Sequence, residues 1–262
     1  MKKIRFIALL IIGILLWNPI VADASSRIII DTNQVKEGIV RISYEGLSKK
    51  TKVMVEKGST VYYYDLKNEE EFFPLQFGDG NYTVSVLENV SGTKYKLLTK
   101  KSFKADIEEN AVFLKSAQPV VWNKEMEAIK LANELAKGKK GSPEIVQAIY
   151  EYIVNNIDYD YNKLDKLASD YIPDIDEVLK DGKGICYDYS ALFAAMLRSQ
   201  GIPAKLVKGY RDGINVYHAW NEVYLNGSWK VIDTTIDAYM LNDGTSSSMF
   251  QDESKYNKLK EY

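Results

Sequence analysis

The hydrophobic periodicity of this chain changes sharply just after Asp106, and that change constrains the fold more than any single motif. Residues 25 to about 106 carry short alternating or aromatic-rich runs at 27–31, 38–44, 51–56, 60–66, 81–87 and 94–103. Turn residues at Gly46, Gly58, Gly78-Asp79-Gly80 and Ser91-Gly92 separate most of them. A two-residue period interrupted at this spacing predicts a small antiparallel all-β sandwich. The 19 tyrosines fit half-buried strands of this kind. No chemistry-bearing cluster stands out in this half, which reads as a packing or adhesive module.

Beyond Asp106 the period lengthens to that of helices. Asn123 can cap a helix whose Met126, Ile129 and Leu135 share a face and which Gly138 ends. Ser142-Pro143 opens a second helix, with Ile145, Ile149, Tyr152 and Ile153 at helical spacing. Asp174 and Glu177 form a capping-box pattern for a short helix before Gly182. Strong helix formers fill 190–199, and Gly201-Ile-Pro203 stops them. Strand-like runs then follow at 204–210, 217–225 and 229–235. Helices followed by antiparallel strands predict an α+β domain over 107–262.

The first 24 residues have another purpose. Lys2, Lys3 and Arg5 precede an apolar run over 6–17, and Ala22-Asp23-Ala24 offers small residues where a signal peptidase cleaves. The run is shorter than the roughly 20 residues that span a bilayer. A signal peptide over 1–24, cleaved before Ser25, is expected, with the mature protein secreted or at the cell surface. The membrane would be met only through an uncleaved signal segment. The formal charge of −2 and the lack of a basic block argue against a nucleic-acid partner.

One cysteine and one histidine are too few for a disulfide framework or for an ordinary zinc site. No metal or other cofactor is expected. Cys186 falls where the Gly182-Lys-Gly-Ile loop enters a helix, and the first-turn N–H groups and helix dipole there favour a thiolate. Gly184 would leave room for a substrate carbonyl, and the Cys186 N–H is a candidate oxyanion donor. Taken alone, such a cysteine is more readily a small buried hydrophobe.

The histidine alters that balance. Asn226-Gly227 is a strong signal for a two-residue hairpin turn between the last two strand-like runs. Leu225 then pairs with Ser228, His218 lies opposite Thr235, and Trp220 lies opposite Asp233. His218 and Asp233 become diagonal neighbours on one face, within side-chain reach. A carboxylate so placed holds one imidazole nitrogen as N–H and leaves the other to take the thiol proton.

Two segments resemble the transglutaminase-like superfamily. One is Gly184-Ile-Cys186-Tyr-Asp-Tyr-Ser-Ala-Leu-Phe-Ala-Ala-Met-Leu-Arg198-Ser-Gln-Gly201-Ile-Pro-Ala-Lys205-Leu-Val-Lys-Gly209-Tyr210; the other is His218-Ala-Trp-Asn-Glu-Val-Tyr-Leu-Asn-Gly-Ser-Trp229-Lys-Val-Ile-Asp233-Thr-Thr235. The resemblance covers roughly residues 115–240. It implies a papain-like core, with a nucleophile helix packed on an antiparallel sheet, and a triad of Cys186, His218 and Asp233. Thr234 stands where the family often has proline, and no counterpart of the animal enzymes' calcium sites is recognisable. Tyr187 and Trp220 are candidate substrate-binding residues, and Tyr159-Asp-Tyr161 a candidate cleft wall. The implied activity is thiol acyl transfer on amide bonds of a protein or peptide, such as a cell-surface or cell-wall component. A non-catalytic binding module on the same scaffold is the alternative.

Overall fold

The computed structural model describes residues 28–164 and 166–262. The expected signal peptide over 1–24 lies outside them.

Seven strands make up the first half: β1 (Ile28–Asp31), β2 (Ile39–Tyr44), β3 (Thr51–Lys57), β4 (Thr60–Leu66), β5 (Glu70–Pro74), β6 (Gly80–Ser91) and β7 (Lys94–Ala105). They form two antiparallel sheets, of order β1-β2-β5 and β4-β3-β6-β7. Alternation decides which side chains enter. In β3, Thr51, Val53 and Val55 are buried while Lys52 and Met54 are not. Val40, Ile42, Phe73, Val84 and Val86 complete the core between the sheets. Tyr82 locks one corner: its hydroxyl sits 3.0 Å from the Leu75 carbonyl and 2.8 Å from that of Gly78, and accepts from the Phe77 N–H at 3.1 Å. Strand β5 has no alternating signature, because Glu70 and Glu71 open it and Pro74 closes it. It forms through pairing with β2 at the sheet edge, where proline is tolerated.

The second half begins with α1 (Glu127–Ala136) and α2 (Ser142–Asn156), then β8 (Asp158–Tyr159), α3 (Tyr161–Leu164), α4 (Ile175–Asp181), β9 (Lys183–Gly184) and α5 (Cys186–Ser199). Asn123 is not the cap of α1. Its side chain accepts from the Glu125 N–H in the entering turn, and the helix starts four residues later. The free amides of Glu127 and Ala128 bond instead to the carboxylate of Asp176 in α4, a tertiary cap invisible to local spacing. Asp174 does cap α4, accepting from Asp176 and Glu177, and Gly182 ends that helix at φ 61°.

The sheet of this half has the order β12-β11-β10-β13, from β10 (Ala204–Arg211), β11 (Ile214–Leu225), β12 (Ser228–Ile232) and β13 (Tyr256–Glu261). Asn226 and Gly227 both take positive φ, 52° and 82°, and Leu225 pairs with Ser228 as the turn requires. Pairing stops at Asn221–Ile232, however. The expected strand over 229–235 is cut short because Asp233 caps a helix, α6 (Thr234–Asn242), accepting from the Ile236 N–H at 3.2 Å. The pairs His218–Thr235 and Trp220–Asp233 therefore do not form; His218 pairs with Gly209 of β10.

Helix α5 is buried along nearly its whole length against β10 and β11. Asn221 pins it there, donating to the carbonyls of Ser190 on the helix and Lys205 on β10 at 2.9 and 3.0 Å. The result is an α+β core with the cysteine helix on an antiparallel sheet, preceded by the β-sandwich. The halves also touch directly: Tyr262 packs its ring 5.4 Å from Tyr62 and 6.0 Å from Tyr64.

Candidate active site

Cys186 is the first residue of α5, half-buried, and a free thiol. The turn before it is fixed by Asp188, which is fully buried. One carboxylate oxygen of Asp188 accepts from the Ile185 N–H at 2.9 Å and from Lys163 at 2.8 Å, and the other accepts from the Tyr171 hydroxyl at 2.6 Å. A Cβ at position 184 would lie 2.6 Å from the Asp188 Cβ. Glycine at 184 is thus needed for the approach of Asp188, and the space expected there for a substrate carbonyl is filled. Asp188 stands at the third position of the helix, where a carboxylate commonly caps the preceding N–H, so capping logic could have found it.

Strand β11 brings His218 to the thiol. Its Nε2 lies 2.8 Å from Oδ2 of Asp233, which is completely buried, and the ring also forms a hydrogen bond with Cys186. Burial pulls the imidazole down. The hydrogen bonds to Asp233 and Cys186, with the negative charges of both, outweigh it and raise His218 from 6.5 to about 10. The geometry brings together all three residues of the expected triad, with Asp233 held by the start of α6 rather than by a strand.

A fourth group joins them. Tyr256 on β13 donates its hydroxyl to Oδ2 of Asp233 at 3.0 Å. No local pattern singles out Tyr256, because its role depends on a strand pairing some fifty residues distant. Trp220 is 1 % exposed; its ring stacks against His218 at 6.3 Å and lies 5.0 Å from Tyr256. Tyr187 lines a cavity at the boundary with the sandwich. On another side, β8 pairs in parallel with β9, Tyr159 opposite Gly184. Tyr159 consequently sits close enough to Cys186 to feel its charge; burial and that charge push its hydroxyl up to about 12. Tyr159, Tyr161, Thr235 and Tyr239 line a cavity of about 320 Å³ there.

A nucleophile at a helix start, a base beside it and a carboxylate behind the base are the parts needed for covalent acyl chemistry. Residues 129–234 match the model of the Transglutaminase-like superfamily. This match and the observed core make the second half of the chain similar to the transglutaminase-like proteins. The mouse kyphoscoliosis peptidase is 29 % identical over 131 residues, 46 % of this chain and 20 % of that protein. The UPF0252 protein MJ1282 of Methanocaldococcus jannaschii is 33 % identical over 139 residues, 49 % of this chain and 39 % of its own length. The chain thus spans about a fifth of the mouse relative. Among solved structures, the periplasmic domain of TgpA from Pseudomonas aeruginosa superimposes with a TM-score of 0.43 at 14 % identity, covering 82 % of this chain and 95 % of that one.

Proposed function

We propose that this protein is an extracytoplasmic thiol acyl-transfer enzyme acting on amide bonds of proteins or peptides through Cys186, His218 and Asp233. The observation that carries the reading is His218 itself, bonded through Nε2 to a buried carboxylate at 2.8 Å and through its ring to the thiol. In this scheme the Cys186 sulfur attacks the amide carbonyl, and the Cys186 N–H contributes to holding the oxyanion. The C–N bond breaks as His218 gives its proton to the leaving amine, and a thioester remains on the enzyme. Asp233 and Tyr256 hold the ring in place throughout. His218 then takes a proton from the acceptor as it attacks the thioester. An amine acceptor yields a new amide, and water yields an acid.

The mouse relative is named a peptidase, which supports peptide cleavage as one outcome. The basic and apolar pattern of residues 1–24 supports export. The test is incubation with a glutamine-containing protein and a labelled primary amine, beside the Cys186→Ala variant. Amine incorporation identifies a transferase, ammonia release alone a deamidase, and new chain termini a protease. Activity that survives Cys186→Ala would sink the mechanism.

A further inference from the structure

Lys208 stands near Cys186 and has no part in the acyl-transfer scheme. It lies on β10, three residues beyond Lys205, and the two lysines are treated differently. Lys205 is paired with Glu261 at 3.0 Å and Glu222 at 3.6 Å. Lys208 has no carboxylate within ion-pairing distance among the described residues. Its ammonium rests 3.2 Å from the ring centroid of Tyr187 and 5.6 Å from that of Tyr262. It is also close enough to Cys186 for the two to interact electrostatically.

Packing on two tyrosines does not account for this placement. A cation–π contact returns less than withdrawing an ammonium from water costs. The imbalance is visible in Lys208, which burial pushes down to about 8 despite the opposing pull of Cys186. Lys260, opposite it on β13, adds a second positive charge.

The ammonium borders a cavity of about 120 Å³ lined by Tyr64 of the sandwich and by Tyr171, Tyr187 and Tyr262. Two acids also line it, but each is already taken: Asp65 by Lys52 at 2.6 Å and Asp170 by Lys67. What the cavity presents without a partner is a cation, next to the residue that follows the nucleophile. We infer that Lys208 is a specificity-determining residue that binds a carboxylate of the acyl donor in this cavity, beside the bond Cys186 attacks. The substrate class is then an acyl donor carrying a carboxylate close to its scissile amide. The β-sandwich supplies one wall of the subsite through Tyr64.

This inference rests on Cys186 being the nucleophile, and a matched pair of thiol reagents separates the two claims. Iodoacetate and iodoacetamide both alkylate a thiolate with loss of iodide, and only the first carries a carboxylate. Their rate constants at Cys186 are measured at pH 7 on the full chain, for the wild type, Lys208→Met and Lys208→Arg. The wild type should favour iodoacetate, and Lys208→Met should lower the iodoacetate-to-iodoacetamide ratio about tenfold, as loss of one desolvated charged hydrogen bond implies. Lys208→Arg, which keeps the charge, should hold the ratio near the wild-type value. A merely structural effect would slow both reagents together and leave the ratio unchanged. An unchanged ratio in Lys208→Met overturns the subsite while leaving the nucleophile intact. A wild type that resists both reagents overturns the nucleophile, and the subsite with it.

Discussion

The hydroxyl of Tyr256 donates to the carboxylate of Asp233 at 3.0 Å, so the C-terminal strand β13 reaches the group that orients His218. Removing that hydroxyl should weaken the site without dismantling it. Tyr256→Phe keeps the ring against Trp220 and loses two hydrogen bonds, one given to Asp233 and one accepted from Arg211 Nε at 3.0 Å, each worth about 1–3 kcal/mol. We expect kcat/KM to fall by roughly tenfold, with the thermal midpoint lowered by a few degrees and the fold retained. A variant as inactive as Cys186→Ala would mean that Tyr256 does more than orient.

The pH dependence follows from His218. Its value in the fold, about 10, lies above the ordinary 6.5 because Asp233 and Cys186 outweigh the effect of burial. A raised value means that the protonated ring stabilises the fold fully below about 6.5, and that this contribution is lost as pH rises through about 10. In the proposed scheme the imidazolium is also the proton donor to the leaving amine. Both stability in urea and amide-cleaving rate should therefore decline on approaching pH 10, and Asp233→Asn should move that decline to lower pH. A rate profile whose alkaline limb sits near 6.5 would contradict the assignment.

Gly209 is a point of close approach between β10 and β13. An added Cβ would come within 2.1 Å of the Asn257 carbonyl oxygen and 2.9 Å of the Trp220 ring. Neither neighbour is a flexible side-chain end, so Gly209→Ala must displace β13 or the indole. A destabilisation of about 1–3 kcal/mol is expected in urea titrations. Because β13 carries Tyr256, amine incorporation should fall more than in Tyr256→Phe. Stability equal to wild type would show that the strand can slide freely.

The pair Lys163–Asp188, at 2.8 Å, ties the segment after β8 to the turn before the nucleophile. Asp188 is completely enclosed and Lys163 one-quarter exposed. Lys163→Met leaves a buried carboxylate with only the Tyr171 hydroxyl and Ile185 N–H as partners. We expect a loss of about 2–3 kcal/mol, less than the ~3–5 of a wholly enclosed pair. Alkylation of Cys186 should slow as well, since Asp188 fixes the loop that presents it. Unaltered stability would show that the ion pair is replaced by solvent.

Much of this architecture was legible before folding was considered. The alternation in 51–57, the cap at Asp174 and the Asn226-Gly227 turn are local signals, and each produced the element it specified. The His218–Asp233 pairing was also anticipated, although for a reason that proved incomplete. The turn fixes the register only as far as Asn221–Ile232, and Asp233 then leaves the sheet to cap α6. An Asp followed by two threonines serves equally as a strand end or a helix cap, and only the packing of α6 against α2 and α5 decides between them.

By itself, then, the sequence determined a β half followed by an α+β half, the helix that carries Cys186 and the residues able to serve as its triad. Local propensity and turn chemistry act over a few residues, and those features lie within that range. Tertiary structure alone decided the cap of α1 by Asp176, the enclosure of Asp188 by Lys163 and Tyr171, the reach of Tyr256 to Asp233 and the unpaired Lys208 facing the sandwich. Each joins residues from different elements. Burial and charge at such places depend on which surfaces meet, and no local pattern encodes that.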